Sequence, residues 1–473
     1  MSRTAREHRM PAPIQDGLCV LFALGSVLAA GTAFAHGRPP YVERIAFDPS
    51  DPNRLVLQTS FGLAVSTDEG GAWRWVCAAA YRVDPTIEDP DVAFASDGAL
   101  LVGGISGLGR VDRAFCDWTF PPGPAQDAFI VDIDRDPATP TTMWAVSSSG
   151  SESDSLLRSD DDGAEWERVG EPIDEILVER MARAPSDAAR IYLTGAIPAG
   201  AEERRGFLLR SDDGGASFER MEIPLLEGER FPLIEAVDPT DPDRIFLRVS
   251  RRAVDLRPSR LLYDDDAGGS LETVLELQQL RAVAVSDDGR TVWAGSSNGG
   301  GVLVARDGML AFEPINDLDV RCLAARGDEL WLCVDQHREG FGLGVSTDDG
   351  ATVEPRFWLD RVSELPECDR CSTTGFVCPA WAPDLAYDQS RYFSGGDDAG
   401  VPTTGIPRDA GDLSLCSVDG STTVAEPGEG CGCRAAASGT RPAHWLLLPA
   451  MVAVAWRRRR RLRSRRIGRS PWP

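Results

Sequence analysis

The sequence predicts an all-β chain, a seven-bladed β-propeller built from four-stranded antiparallel blades. Three observations predict it: short apolar runs arrive in groups of four, the groups return seven times at a spacing of about 40 to 55 residues, and a Ser-x-Asp-x-Gly turn recurs ahead of the last run of several groups. One such group is apolar on both faces and cannot bury itself. Seven must close around an axis to form a core.

The first unit begins at Val42. It reads as an apolar strand at Ile45-Ala46-Phe47, the turn Asp48-Pro49-Ser50-Asp51-Pro52-Asn53, a second strand at Arg54–Leu57 and a third at Gly62–Val65. The turn Ser66–Ala72 then opens a fourth strand at Trp73. Proline, glycine and aspartate clusters separate the runs, which is the punctuation of a meander. The same order restarts at Asp91, Phe129, Val178, Leu233, Leu280 and Val320. Its second strands include Met143-Trp144-Ala145-Val146, Thr291-Val292-Trp293-Ala294 and Leu330-Trp331-Leu332-Cys333.

The most specific pattern is the turn before the fourth strand. Ser66, Asp68, Gly70 and Trp73 fit S-x-D-x-G-x-x-W, and Ser159, Asp161, Gly163 and Trp166 repeat it. Ser211, Asp213, Gly215 and Phe218 end on phenylalanine; Ser346, Asp348 and Gly350 end on Val353. Asp264, Asp266, Gly268 and Leu271 form a decayed copy. The aspartate accepts backbone N–H groups of its own loop, the glycine takes a backbone angle other residues avoid, and the ring buries the hairpin end. This motif resembles the Asp-box, or BNR, repeat of sialidases, sortilin-type receptors and xyloglucan-hydrolysing enzymes. The resemblance covers residues 42 to 357 and implies a propeller in which the Asp-box is a structural turn at the blade periphery, away from any catalytic centre.

Chemistry is less legible. A sialidase needs an arginine triad, a tyrosine nucleophile and an Arg-Ile-Pro segment, whereas Val42–Phe47 has Arg-Ile without the proline, so that class is excluded. Histidine is nearly absent, with only His337 in the central body, which argues against a histidine-built zinc site or a Ser-His-Asp hydrolase. A glycoside hydrolase needs only two carboxylates astride a cleft. Asp91, Asp132, Asp134 and Glu235 lie near the expected inner strands, and no pair among them stands out. The expectation is therefore a non-catalytic binding or scaffold propeller without cofactor or metal, facing an extracellular glycan or protein ligand, with a propeller hydrolase as the alternative.

The ends of the chain specify export. Arg3, Arg6 and Arg9, an apolar run from Gly17 to Gly31 and the triplet Ala33-Phe34-Ala35 have the order of a secretory signal peptide, so residues 1–35 are expected to be removed before His36. The formal net charge is −25, and it moves to about −35 once the signal and the basic tail are set aside. A nucleic-acid partner is excluded, because phosphate binding needs a basic face.

Ten of the eleven cysteines lie beyond the signal, an even number in an oxidising compartment. Cys322 and Cys333 face each other across one hairpin and form a candidate disulfide; Cys77 and Cys116, in the last strands of the first two units, are a second candidate pair. Cys368, Cys371, Cys378 and Cys416 fall in an extension after the seventh unit and read as two disulfides rather than a zinc site. The organisation is thus a propeller over 36–360, a cysteine-containing extension over 361–416, a polar linker over 417–430 and a tail over 431–473. That tail joins Cys431 and Cys433 to a short apolar segment, Trp445–Trp456, and an arginine cluster from Arg457, which would remain cytoplasmic. This order resembles the MYXO-CTERM sorting tag of myxobacterial surface proteins, which implies attachment to the cell envelope, export and sorting machinery as partners, and processing near the Cys motif.

Overall fold

The computed structural model describes residues 39–393 apart from positions 86, 149–152, 198–203, 253–254 and 256. The signal segment, the linker and the tail lie outside the described residues, as do Cys416, Cys431 and Cys433.

Seven four-stranded antiparallel sheets follow one another along the chain. Blade 1 holds β1 (Val42–Phe47), β2 (Leu55–Thr59), β3 (Gly62–Ser66) and β4 (Arg74–Val76). Blade 2 runs from β5 (Asp91–Phe94) to β8 (Trp118–Thr119), blade 3 from β9 (Ile130–Arg135) to β12 (Glu167–Ile173), and blade 4 from β13 (Leu177–Arg183) to β16 (Glu219–Ile223). Blade 5 runs from β17 (Glu229–Val237) to β20 (Glu272–Gln278), blade 6 from β21 (Leu280–Val285) to β24 (Glu313–Asn316), and blade 7 from β25 (Val320–Arg326) to β28 (Glu354–Phe357). The first strands touch one another in sequence, and β1 meets both β5 and β25, so the ring is closed. This is the expected seven-bladed β-propeller.

The second strands of the blades are buried on both faces, while the outermost strands are largely exposed. All five residues of β2 are buried, which is why it reads as a continuous apolar run rather than an alternation. The core is consequently divided among the wedges between blades. Leu101 and Leu108 of blade 2 pack with Met143, Leu157 and Trp166 of blade 3, and Trp144 and Leu156 of blade 3 pack with Ile191, Leu193 and Leu209 of blade 4.

No strand is exchanged between the chain ends, since blades 1 and 7 each consist of four consecutive strands. Side chains close that seam instead. Trp73 Nε1 donates to Arg356 O at 2.9 Å and its ring meets Phe357 edge-on at 5.0 Å. Arg326 of blade 7 bonds Glu69 and Pro52 O, both at 3.0 Å, and Arg321 pairs with Glu43 at 3.1 Å.

Beyond blade 7 the chain turns back across the outer edges of blades 1 and 2 through short helices at Thr373–Val377 and Ala382–Phe393. Trp75 N donates to Glu364 O at 2.7 Å, and Thr374 N donates to Cys116 O at 2.9 Å. Two disulfides fasten this extension: Cys77–Cys378 and Cys116–Cys368, with Cα separations of 5.3 and 5.4 Å. The pairing corrects the expectation that Cys77 joins Cys116 and that Cys368 and Cys378 bond within the extension. The returning extension brings a partner within disulfide reach of each outer edge. Cys322 and Cys333 are bonded as expected, being direct partners in the β25 hairpin. Cys371 lies exposed on the extension.

Candidate functional site: the axial channel and the outer turns

The innermost strand of every blade leaves one edge unpaired along the axis, and free edge N–H groups need acceptors. The chain supplies several from neighbouring blades. Asp91 Oδ2 accepts Ile133 N of blade 3 at 2.6 Å, Asp132 Oδ2 accepts Met181 N of blade 4 at 2.8 Å, and Thr194 Oγ1 accepts Ile234 N of blade 5 at 3.0 Å. Asp91 also pairs with Arg44 of blade 1. Burial, together with the adjoining Asp91 carboxylate, pushes the Asp132 carboxyl well above the usual carboxylate range. Glu235 is held by Arg248 through Nε at 2.9 Å and Nη2 at 2.8 Å.

Asp134 differs from these. Burial raises its carboxyl to about 6, opposed chiefly by the Arg183 guanidinium. It lines a cavity of 340 Å³ at the lower mouth of the channel, where the inner strands end, with Phe47, Phe94, Pro137, Arg183 and Pro185. Arg183 is itself occupied, paired with Asp136 at 2.6 Å and lying 5.0 Å from the Trp144 ring centroid. Asp134 is the one acid lining this cavity among the described residues. Of the four expected acids, the structure brings Asp91 and Asp132 into contact, while Glu235 and Asp134 each have an arginine neighbour. Among the described residues, no group of three or more His, Cys, Asp and Glu side chains is placed to hold a metal ion.

The Ser-x-Asp-x-Gly turns sit at the outer side of the ring, before the outermost strands. Ser66 Oγ donates to Asp68 Oδ1 at 2.9 Å and accepts Gly70 N at 2.9 Å, while Asp68 Oδ1 accepts Ala72 N at 2.8 Å. The same three bonds recur around Ser159, Asp161 and Gly163, around Ser211, Asp213 and Gly215, and around Ser346, Asp348 and Gly350. Bonds from the Ser217 hydroxyl and N–H and from Ser211 hold the Asp213 carboxyl down to about 2. In the decayed copy Asp264 performs both tasks, accepting Gly268 N at 3.2 Å and Ser270 N at 2.5 Å. Gly163 and Gly215 have φ of +84° and +87°, and a Cβ on either would fall 2.5 and 2.3 Å from Leu101 and Leu156 of the preceding blade. Glycine is needed there for both conformation and approach.

Sequence reasoning missed the residue after the aspartate. Glu69, Asp162 and Asp349 adopt φ of 58°, 58° and 59°, and each reaches the preceding blade. Glu69 meets Arg326 at 3.0 Å, Asp162 accepts Ser96 Oγ at 2.7 Å, and Asp349 accepts Arg306 Nε at 2.9 Å. A second acid directly after the motif aspartate in three copies was the available signal.

The fold and its channel define the chain as a seven-bladed β-propeller. No protein-family model matches the sequence, and no curated protein matches it. Among solved structures it is similar to an ancestral GH74 enzyme, with 14% identity, a TM-score of 0.52, and coverage of 68% of this chain and 47% of that one. It also matches the GH74 xyloglucanase from Xanthomonas campestris at 17% identity and a TM-score of 0.24, covering 69% and 56% of the two chains. The Kuenenia stuttgartiensis hydrazine synthase matches at 12% identity and a TM-score of 0.48, covering 67% and 97%. The chain spans about half the length of the ancestral GH74 structure. At these identities the likeness establishes the fold alone.

Proposed function

We propose that this chain is an exported propeller, displayed at the cell surface, that acts as a non-catalytic binding or scaffold module. The observation that carries the reading is the occupation of the axial carboxylates. Asp91 and Asp132 each accept a backbone N–H of the next blade, and Glu235 is held by an arginine. A two-carboxylate hydrolysis needs acids about 5 to 9.5 Å apart across an open cleft. Asp91 and Asp132 adjoin one another and are buried. The aspartates Asp68, Asp161, Asp213 and Asp348 are on this reading architectural, bound to their own loops.

The likeness to GH74 enzymes and the raised Asp134 carboxyl in its cavity favour a second reading, a propeller glycoside hydrolase. A glycan array beside a hydrolysis screen on the exported protein separates the two. Binding without release of reducing sugar is the expected result. Release that disappears in Asp134→Asn overturns the non-catalytic reading.

Export and sorting belong to the same proposal, supported by the charged, apolar and small-residue order of the first 35 residues and by the Cys–apolar–Arg order of the tail. The protein recovered from the surface is expected to begin at His36 and to lack the arginine cluster, by intact mass. A surface form ending at Pro473 would mean a permanent anchor instead.

A further inference from the structure

We propose that the upper mouth of the channel, where the inner strands begin, binds an acidic polysaccharide through Arg204, Arg230 and Arg252 beside Phe231. This rests on the binding-module reading and names the class of ligand. The three arginines come from separate segments that the topology brings to one end of blades 4 and 5. Arg204 precedes the strand Arg205–Ser211, Arg230 is the second residue of β17, and Arg252 follows the strand Ile245–Arg251 that pairs with β17.

Neighbouring arginines are spent on acids: Arg251 and Arg260 hold Glu229, Arg257 holds Asp255 and Arg248 holds Glu235. Among the described residues Arg204, Arg230 and Arg252 form no ion pair with an acid, in a protein whose net charge is −25. Arg204 and Arg230 both lie against the Phe231 ring, at 5.2 and 5.3 Å from its centroid, and the Nε atoms of both are buried without a hydrogen-bond partner. Burial, with Arg230 and Arg252 close by, holds the Arg204 guanidinium below its ordinary range. Among the described residues the acid that opposes them there is Glu179, whose carboxyl is itself pushed up by burial. A cluster of like charges with unused donors is relieved by an anion, and the planar guanidinium fork fits carboxylate and sulfate oxygens.

The row continues into blade 6. Among the described residues Arg281 has no acidic partner within ion-pair distance, and it bonds Ser297 Oγ at 3.2 Å and Gln279 Oε1 at 3.4 Å. Four guanidiniums spread over three blades match a ligand whose charge repeats along its length. The cavity beside Arg252 and Arg281 holds only 30 Å³, room for a water or two rather than for an amino-acid side chain. A polymer read by its charges fits this surface better than a peptide anchored by side chains.

The test measures binding of the exported full chain to polygalacturonate and dextran sulfate, with uncharged dextran as control, at low and at 0.5 M salt. The expected result is binding to the charged polymers alone that weakens with salt, as screening requires. Arg204→Gln with Arg252→Gln should weaken it more than about tenfold, and Arg204→Lys alone severalfold, because lysine keeps the charge and loses the fork. Arg290→Gln, at the opposite end of blade 6, should leave it unchanged, and an unaltered melting temperature in each variant assures the fold. No binding to either charged polymer, or binding indifferent to the double variant, overturns the site. Tighter binding of polyglutamate with the same arginine dependence overturns the polysaccharide assignment. An uncharged glycan bound equally by wild type and double variant overturns this site while leaving the binding-module reading intact.

Discussion

The seam between blades 7 and 1 and the seam between blades 3 and 4 join similar sheets by different means. At the second, the chain runs straight from β12 into β13, and the wedge is filled by apolar side chains such as Trp144, Leu156, Ile191 and Leu193. At the first the backbone leaves blade 7 only into the returning extension, and nothing in the strand order interlocks the ends. There the wedge gains the Trp73 bond to Arg356, the Arg326 bonds to Glu69 and Pro52, and an extension fastened by disulfides to blades 1 and 2. Polar links also cross the wedge between blades 3 and 4, Met181 N to Asp132 Oδ2 at 2.8 Å and Arg183 to Asp136 at 2.6 Å, but they join blades that the backbone already keeps together. Where the backbone is open, separation of the ends releases chain entropy, and cross-links that restrict the unfolded chain counter it.

The largest expected effect breaks that comparison most directly. Cys77–Cys378 and Cys116–Cys368 close loops with separations of 301 and 252 residues, whereas Cys322–Cys333 spans 11. Loop-closure entropy gives about 5.6 kcal/mol for either long loop and about 2.8 kcal/mol for the short one. Replacing Cys77 and Cys378 by serine should therefore lower unfolding free energy in a denaturant titration by more than replacing Cys322 and Cys333. The two long loops overlap, so removing both should cost less than the sum. Equal costs for the long-range bond and the hairpin bond would show that the open seam has no special need of covalent help.

The tryptophans sharpen the same contrast. Trp166 is buried and Trp73 half-buried, so Trp166→Ala should destabilise the protein by about 3 to 5 kcal/mol, the range for a buried large aromatic, and Trp73→Ala by about 3 kcal/mol, its lower end. Phenylalanine separates them. Trp166 Nε1 donates within its own turn, to Gly163 O at 3.0 Å, whereas Trp73 Nε1 donates both to Gly70 O and across the seam to Arg356 O. Trp73→Phe should cost about 1 kcal/mol more than Trp166→Phe, the worth of one further hydrogen bond, by the same titration.

Much of this architecture was legible in the sequence because it repeats. The seven blade starts and the turn motif at Ser66, Ser159, Ser211 and Ser346 are local patterns, and local patterns survive translation into structure. The disulfides of the extension were not legible. Cys77 and Cys378 are brought together only by ring closure and the returning extension, which no spacing encodes. The axial acids were placed near the axis correctly, yet their occupation was hidden, because the N–H that Asp132 accepts belongs to Met181 of the next blade. The arginine row at the upper mouth was equally hidden, since its members come from the starts and ends of strands far apart in the chain.

Asp134 gives a smaller, pH-dependent effect at the continuous seam, where Arg183 of blade 4 stands near it. Its carboxyl is raised to about 6 in the folded protein from 3.8. The folded state therefore binds the proton more tightly than the unfolded chain, and the associated stability is fully present below about pH 4 and lost as pH rises through about 6. The loss should amount to roughly 2 kcal/mol, since each tenfold difference in proton affinity is worth about 1.4 kcal/mol and the side chain's partial access to solvent reduces the total. Asp134→Asn should flatten that part of a stability profile measured between pH 4 and 7. A wild-type profile that rises over this interval would contradict the burial of this carboxyl.

The smallest effects come from the charged pairs that follow each motif aspartate, and they test whether the two kinds of seam differ beyond the disulfides. Arg306 and Asp349 join blades 6 and 7, with both side chains about 40% exposed, so the pair is well screened. Arg326 is 22% exposed and is bound at once to Glu69, Glu329 and Pro52 O, so its guanidinium is already positioned before Glu69 meets it. A preorganised arginine gives up less side-chain entropy when the pair forms. Double-mutant cycles should then return about 0.3 kcal/mol for Arg306 with Asp349 and close to 1 kcal/mol for Arg326 with Glu69, the upper end for a partly exposed pair. Both couplings should shrink in 0.5 M salt, the exposed pair's more completely. Equal couplings at the two seams would mean that Arg326 gives closure of the ring no special help, with the acid after each motif aspartate serving every seam alike.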